Sequence, residues 1–272
     1  MSTTDSTTAP TTESTPANSP ASTPANSPAG TPAPVARHEI FQTSVMSALL
    51  DGVYDDELTV AELLTHGNFG IGTFNALDGE MIILDGECFQ LRSDGSVSRP
   101  EPGARTPYAV ITDFAPGIRR ELPPGSLRSE ASAIIDRMTV SENYMYALRI
   151  TGDFEWVRTR TVVKQSKPYR PMTEATDDDA VVQFDNVRGT VVGFRTPLYE
   201  TGISVPGCHA HFIDDAHVGG GHVLDFKLRS GVAELCLATD LHLRLPMTPA
   251  FQEANLSPDD LAAQLQKTEM HS

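Results

Sequence analysis

Asp-Gly dipeptides stand at 78–79, 85–86 and 94–95, separated by short runs rich in Ile, Leu, Met and Phe. No helix of ordinary length fits between turn signals this close together. Asp-Gly is a preferred pair for two-residue hairpin turns, because Gly accepts the positive φ they require. The runs Ile71–Leu77, Met81–Leu84 and Cys88–Arg92 are therefore expected as strands of a β-meander. Two helices are expected before it. Thr43 and Ser44 precede Val45, Met46, Leu49 and Leu50, with Gly52 as the stop. Thr59 with Glu62 makes a capping-box pattern ahead of Leu63 and Leu64, ended by Gly67.

After the meander, residues 126–138 read as a helix, with Ser126 as cap and Leu127, Ile134, Ile135 and Met138 on apolar positions. Tyr144–Ile150 and Phe154–Val163 read as strands, and alternation puts Phe154, Trp156, Arg158 and Arg160 on one face. Pro168, Pro171 and an Asp run at 177–179 mark a domain boundary within 164–179. Short strands are expected beyond it, over Thr190–Arg195, Cys208–Ile213, His222–Leu228 and Val232–Leu237, and then a helix from Pro258 to about Glu269 capped by Ser257. The fold class is α/β of the α+β kind. Two packed mixed or antiparallel sheet domains are expected, over 36–172 and 173–272, with a few flanking helices and a small, barrel-like C-terminal sheet. The Arg158/Arg160 strand is grouped with the meander.

Residues 1–35 are almost entirely Ser, Thr, Pro, Ala and Asn, and carry Ser-Thr-Pro-Ala-Asn-Ser-Pro-Ala at 14–21 and again at 22–29. Such a segment has little to bury against the entropy of ordering and reads as a disordered tail. It lacks the basic and apolar regions of a secretory signal. Net charge is −16, of which the tail supplies only Asp5 and Glu13, so the folded part is acidic. That excludes nucleic acid or an anionic membrane as the main partner. Three cysteines, Cys88, Cys208 and Cys236, fit a reducing, cytoplasmic setting better than a disulfide framework.

The chemistry is concentrated in Gly-Cys-His-Ala-His-Phe-Ile-Asp-Asp-Ala-His-Val-Gly-Gly-Gly-His, residues 207–222. On a strand His209 and His211 share a face and Cys208 takes the other. The Asp-Asp and Gly-Gly-Gly cluster lets the chain return and brings His222 alongside. Three imidazoles and an open position are the ligand set of a catalytic metal site. The bland alternative is a polar hairpin face in water. His217 sits in the loop between them, and it and His38, His66, His242 and His271 read as surface or structural residues. A His-x-His hairpin also occurs in cupin-type barrels, which leaves the reaction open. Taken alone, Glu80 beside its turn and Arg160 on its strand read as ordinary surface charges.

A family resemblance narrows this. Blocks in one order carry it: Ser-Ala-Leu-Leu-Asp-Gly-Val-Tyr (47–54), Gly-Asn-Phe-Gly-Ile-Gly-Thr-Phe-Asn-Ala-Leu-Asp-Gly-Glu (67–80) and Arg-Thr-Arg-Thr-Val (158–162). Phe-Asp-Asn-Val-Arg-Gly-Thr-Val-Val-Gly-Phe (184–194), His-Ala-His-Phe-Ile-Asp (209–214) and Gly-Gly-His-Val-Leu-Asp-Phe (220–226) follow. Over about 38–270 the chain resembles α-acetolactate decarboxylase. The resemblance implies a zinc ion held by His209, His211 and His222, with Glu80, Arg160 and a glutamate near the C-terminus lining the site. That glutamate matches Glu269, with Glu253 as the competitor, and Thr73 is a further pocket residue. The implied reaction converts (S)-2-acetolactate to (R)-acetoin and CO2, through an enediolate that a glutamate protonates. A homodimer is implied as well. Two other readings stand beside it: a cupin-like metal oxygenase or isomerase that leaves Glu80 and Arg160 unused, and a non-enzymatic binding module braced by metal.

Overall fold

The structure, a computed structural model, describes residues 38–269, so the tail over 1–35 and the residues after Glu269 lie outside the described residues. In chain order the elements are β1 (Glu39–Thr43), α1 (Met46–Leu50), α2 (Val60–Leu63), β2 (Phe69–Thr73), β3 (Glu80–Leu84), β4 (Glu87–Leu91), β5 (Val97–Ser98), β6 (Ala109–Thr112) and β7 (Ile118–Leu122). Then follow α3 (Arg128–Met138), β8 (Met145–Thr161), α4 (Met172–Ala175), β9 (Ala180–Thr196), β10 (Gly207–Asp214), β11 (Gly220–Ala238), β12 (Asp240–Arg244), α5 (Pro249–Glu253) and α6 (Leu261–Glu269).

The fold is mixed α/β, with two sheets and few helices. A seven-stranded sheet runs β12-β1-β6-β2-β3-β4-β5, and a five-stranded sheet runs β10-β9-β8-β11-β7. In the second, β10 also pairs with β11, His211 opposite His222. Ile71, Ile82 and Leu91 of the first sheet share one apolar core with Ala147, Val192, Ile213 and Cys236 of the second, so the sheets pack face to face. The outer faces are covered separately. Leu63 of α2 joins Phe41, Met81 and Ile83, and Ala131 and Ile135 of α3 join Leu148, Ile150 and Phe212. The period-2 alternation is visible in β3, where Ile82 faces inward while Met81 and Ile83 face α2. Three cysteines are unpaired. Among the described residues no helix is long and apolar enough to cross a membrane.

The meander turns on the expected residues. Asp85 and Gly86 both adopt positive φ, +52° and +81°, as a type I′ hairpin turn requires. The Thr59–Glu62 capping box forms, with the Thr59 amide donating to the Glu62 carboxylate at 3.0 Å. The expected Ser126 cap does not form. The Ser126 hydroxyl donates to the Pro123 carbonyl, and the free amide at the start of α3 is that of Leu127, which donates to Glu130.

Strand lengths differ most from expectation. Tyr144–Ile150 and Phe154–Val163 merge into the single strand β8, and the two C-terminal candidates merge into β11. The polar and glycine positions between them resemble turns but continue the ladder, with Gly152 opposite Gly231. β8 lies between β9 and β11, so Arg158 and Arg160 belong to the sheet that carries the histidines and not to the meander. The stretch 164–179 connects β8 and β9, which are neighbours in that sheet. Alternation along β8 also breaks. Phe154 and Val157 enter the same core, and between the pairs Phe154–Val187 and Trp156–Asp185, Asn186 takes φ +52°. Arg160 is turned inward and buried, while Arg158 stays exposed. β1, β12 and α5 carry no signal that the sequence reading detected.

A Cβ at Gly152 would lie 2.3 Å from the Ser230 carbonyl oxygen and 2.8 Å from the Gly231 Cα, both backbone. Gly152→Ala is expected to lower stability by about 1–3 kcal/mol, read as a lower urea midpoint. Gly117, where nothing lies within 4 Å of a built Cβ, is the control. There alanine should change stability by no more than about 0.5 kcal/mol.

Candidate active site

The histidines reach the space between the sheets by strand register. Ala210 and Phe212 of β10 enter the outer core, so His209 and His211 point inward. Cys208 packs on the outer side. β10 places His211 opposite His222 of β11, and β11 places His222 opposite Arg160 of β8, so three functional side chains form one row across three strands. The glycines before His222 make that row compact. A Cβ at Gly221 would lie 2.8 Å from the hydroxyls of Thr159 and Thr161, and one at Gly220 would lie 2.2 Å from Leu91. The Gly-Gly-Gly run thus begins β11 beneath the other sheet, and the turn itself lies in the residues before it.

The seven-stranded sheet supplies the opposite wall. Thr73 of β2 pairs with Glu80 of β3, next to inward-facing Ile71 and Ile82. The Thr73 hydroxyl donates to the Gly79 carbonyl at 2.8 Å, fixing the turn that presents Glu80. The third wall is α6, which buries Leu265, Thr268 and Glu269. The cavity is lined by Thr73, Glu80, Tyr108, Glu269 and the three histidines, and by the apolar side chains of Met46, Leu49, Leu77, Val162 and Met172. Arg160 sits behind this lining. Its guanidinium pairs with Asp179 and donates to the Thr268 carbonyl, and its Nε is buried with no hydrogen-bond partner. Glu253 is exposed on α5 and does not reach the cavity. His217 packs against Phe89 and His66 stacks on Phe41, both away from the cavity.

Ligand atoms of His209, His211 and His222 all lie within 4.8 Å of one another. The His211 Nδ1 is 2.9 Å from the Met81 carbonyl, which only accepts, so Nδ1 carries the proton and Nε2 is left with a lone pair. That Nε2 is buried and has no hydrogen-bond partner. Burial pushes the His211 pKa down to about 4, and burial with the neighbouring cations holds His209 and His222 well below the ordinary value. Three neutral imidazoles with converging lone pairs, one of them orphaned, fit a divalent metal ion. Two carboxylates flank them. Glu269 Oε2 is 3.4 Å from His209 Nε2 and 4.0 Å from His222 Nδ1, and Glu80 Oε2 is 3.6 Å from His211 Nε2.

Burial, reinforced by the negative charges of Glu269 and Asp179, raises the Glu80 pKa to about 8 against the pull of Arg160. Burial raises Glu269 to about 7. The site therefore combines three imidazoles that could hold a metal ion with two carboxyls whose pKa values are raised toward neutral pH, a set suited to acid–base chemistry beside a Lewis acid.

The family pattern described as alpha-acetolactate decarboxylase matches residues 40–258. The chain is an enzyme of the alpha-acetolactate decarboxylase family. The alpha-acetolactate decarboxylase of Klebsiella aerogenes is 47% identical over 230 residues, 85% of this chain and 88% of that protein. The counterpart from Bacillus subtilis strain 168 is 45% identical over 231 residues, 85% of this chain and 91% of that protein. A crystal structure of the alpha-acetolactate decarboxylase from that strain superposes with a TM-score of 0.84 at 45% identity, over 86% of this chain and all, 100%, of that one.

Sequence reasoning missed the apolar wall and Tyr108. Met46 and Leu49 were assigned only as helix positions, and Tyr108 lies in a stretch with no motif. Asp179 was read only as part of a boundary.

Linkage gives this site a pH signature. Glu80 and Glu269 hold protons more tightly folded than at their ordinary value of 4.5. Their contribution to stability is thus full below that value and is lost as pH rises through about 7 and about 8. In metal-free protein, Glu80→Gln is expected to flatten the fall in urea midpoint across this window. Identical slopes in variant and wild type would show that Glu80 is not held as described.

Proposed function

We propose that the chain converts (S)-2-acetolactate to (R)-acetoin and CO2 using zinc held by His209, His211 and His222. The observation that carries this reading is the pair of buried, proton-retaining carboxyls, Glu80 and Glu269, set against three neutral imidazoles. Three histidines and an open position favour zinc among common ions. Zinc held there would supply Lewis acidity toward the substrate oxygens, worth several kcal/mol of charge stabilisation.

The protein's own groups account for the remaining steps. Cleavage of the bond to the carboxylate releases CO2 and leaves its electron pair in the conjugated enediolate. A proton must then be added to one face of the carbon that lost the carboxylate. Glu80, the more strongly shifted carboxyl, is protonated at neutral pH and supplies it, while Glu269 approaches from α6 on the other side of the histidines. Because the two carboxyls come from different walls, only one face of a bound intermediate meets the donor, which yields product of one hand. Met46, Leu49, Leu77, Val162 and Met172 receive the substrate methyl groups and exclude water. Arg160 is the local cation that lets an acidic protein accept an anionic substrate. The enzyme acts as a homodimer in the cytoplasm, supported by the family resemblance, the prevalence of symmetric dimers and the unpaired cysteines.

Metal analysis of purified protein beside an acetolactate-to-acetoin assay tests this. Outer partners of metal-bound histidines are typically worth about 10- to 100-fold in affinity, so His211→Ala should lose zinc by at least that factor while remaining folded. Glu80→Gln, which removes the proton donor, should lower kcat by about 10²- to 10⁴-fold; Glu269→Gln should lower it as well, with Glu253→Gln near wild type. Full activity of Glu269→Gln, or full zinc content of His211→Ala, would overturn the assignment.

A further inference from the structure

Thr268 and Glu269 lie in the last described turn of α6. The Thr268 carbonyl, one residue before the site glutamate, accepts from the Arg160 guanidinium. The other arm of that guanidinium pairs with Asp179, whose side chain is only 6% exposed. One residue before Thr268, Lys267 Nζ is 3.1 Å from Asp177 and donates to the Thr173 carbonyl at 2.5 Å. Both acidic partners belong to the segment between α4 and β9, which otherwise only joins two strands. A guanidinium shared between carboxylate and carbonyl is held in orientation as well as position.

We infer that Asp179 is a positioning residue of the active site: it orients Arg160, which docks the end of α6 and so sets Glu269 over the histidines. This rests on the reading of Glu269 as a site residue. Arg160 is the cross-strand neighbour of His222. The clamp therefore ties the helix end to the strand that carries a metal ligand. α6 is anchored as well by the burial of Leu265, and Glu269 itself lies 3.4 Å from His209. The Asp run at 177–179 thus has a function beyond joining two strands.

The test uses the full-length, zinc-loaded enzyme and compares kcat and KM for wild type, Asp179→Asn, Glu269→Gln and the double variant. Misplacing a reacting group by about 1 Å can cost about 10²-fold. Asp179→Asn should therefore lower kcat by about 10- to 100-fold, with KM moving by less than about threefold. Residues acting as one unit are non-additive, so the double variant should be no slower than Glu269→Gln within about threefold. Wild-type kcat in Asp179→Asn overturns the inference, as does a double-variant loss equal to the product of the two single losses. If Glu269→Gln is itself fully active, the reading of Glu269 fails and the inference falls with it, an outcome distinct from the other two. Should Asp179→Asn fail to fold, Lys267→Ala loosens the same helix end at the exposed pair. It should then lower kcat a few-fold in wild type and not at all in Glu269→Gln, and equal losses in both backgrounds overturn the inference.

Discussion

The rest of the site depends on one constraint, the register of three strands. β10, β11 and β8 pair so that His211, His222 and Arg160 fall in one row. Side chains alternate with period 2, so a slip of one residue in either pairing would send a histidine into the outer core. Two kinds of residue hold the register. Phe212, Val223 and Val157 bind the outer face into a core with α3, and Gly220 and Gly221 let β11 begin close beneath Leu91 and the threonines of β8. The clustering of the three imidazoles is thus a property of the sheet and needs no loop to form it.

The second organising fact is that an acidic protein places its site charges where water is excluded. Glu80, Glu269, Asp179 and Arg160 stand within one buried region, with a single cation among three carboxyls. Such a set does not tolerate full ionisation, and protonation of Glu80 is the low-cost release. A carboxyl that must be neutral to remain buried is also one that can donate a proton. The apolar wall of Met46, Leu49 and Met172 therefore acts twice, forming the cavity and shifting the acids. Tyr108 belongs to the same wall, its phenol kept neutral by burial and by the charge of Glu269.

Much of this was legible from local signals. Turn chemistry at Asp85-Gly86, the Thr59–Glu62 cap and the alternation in β10 are set by neighbours in sequence, and the structure follows them. Gly152 and the Gly219–Gly221 run mislead for a physical reason: glycine marks either a turn or a close approach of backbones, and only the partner strand decides which. The strand carrying Arg160 was grouped with the meander because pairing with β9 and β11 is non-local. Its inward turn goes with register shifts in the pairing of β8 with β11, which no pattern in β8 reveals. β1 and β12, whose parallel pairing closes the edge of the seven-stranded sheet, are short and are specified by contact across most of the chain.

Asp179 shows the same limit from the side of composition. An acidic run beside two prolines is usually a solvated connection, and nothing in its spacing marks one member as buried. Its partner is Arg160, and through Arg160 it reaches the end of α6, which arrives about ninety residues later in the chain. A site assembled from two sheets and a terminal helix needs some element that senses all three. Here that element is a single guanidinium, placed by strand register, oriented by an aspartate and closed by a helix carbonyl. Glu269 follows the residue whose carbonyl Arg160 holds, so its position depends on elements distant in the chain and adjacent only once the molecule is folded.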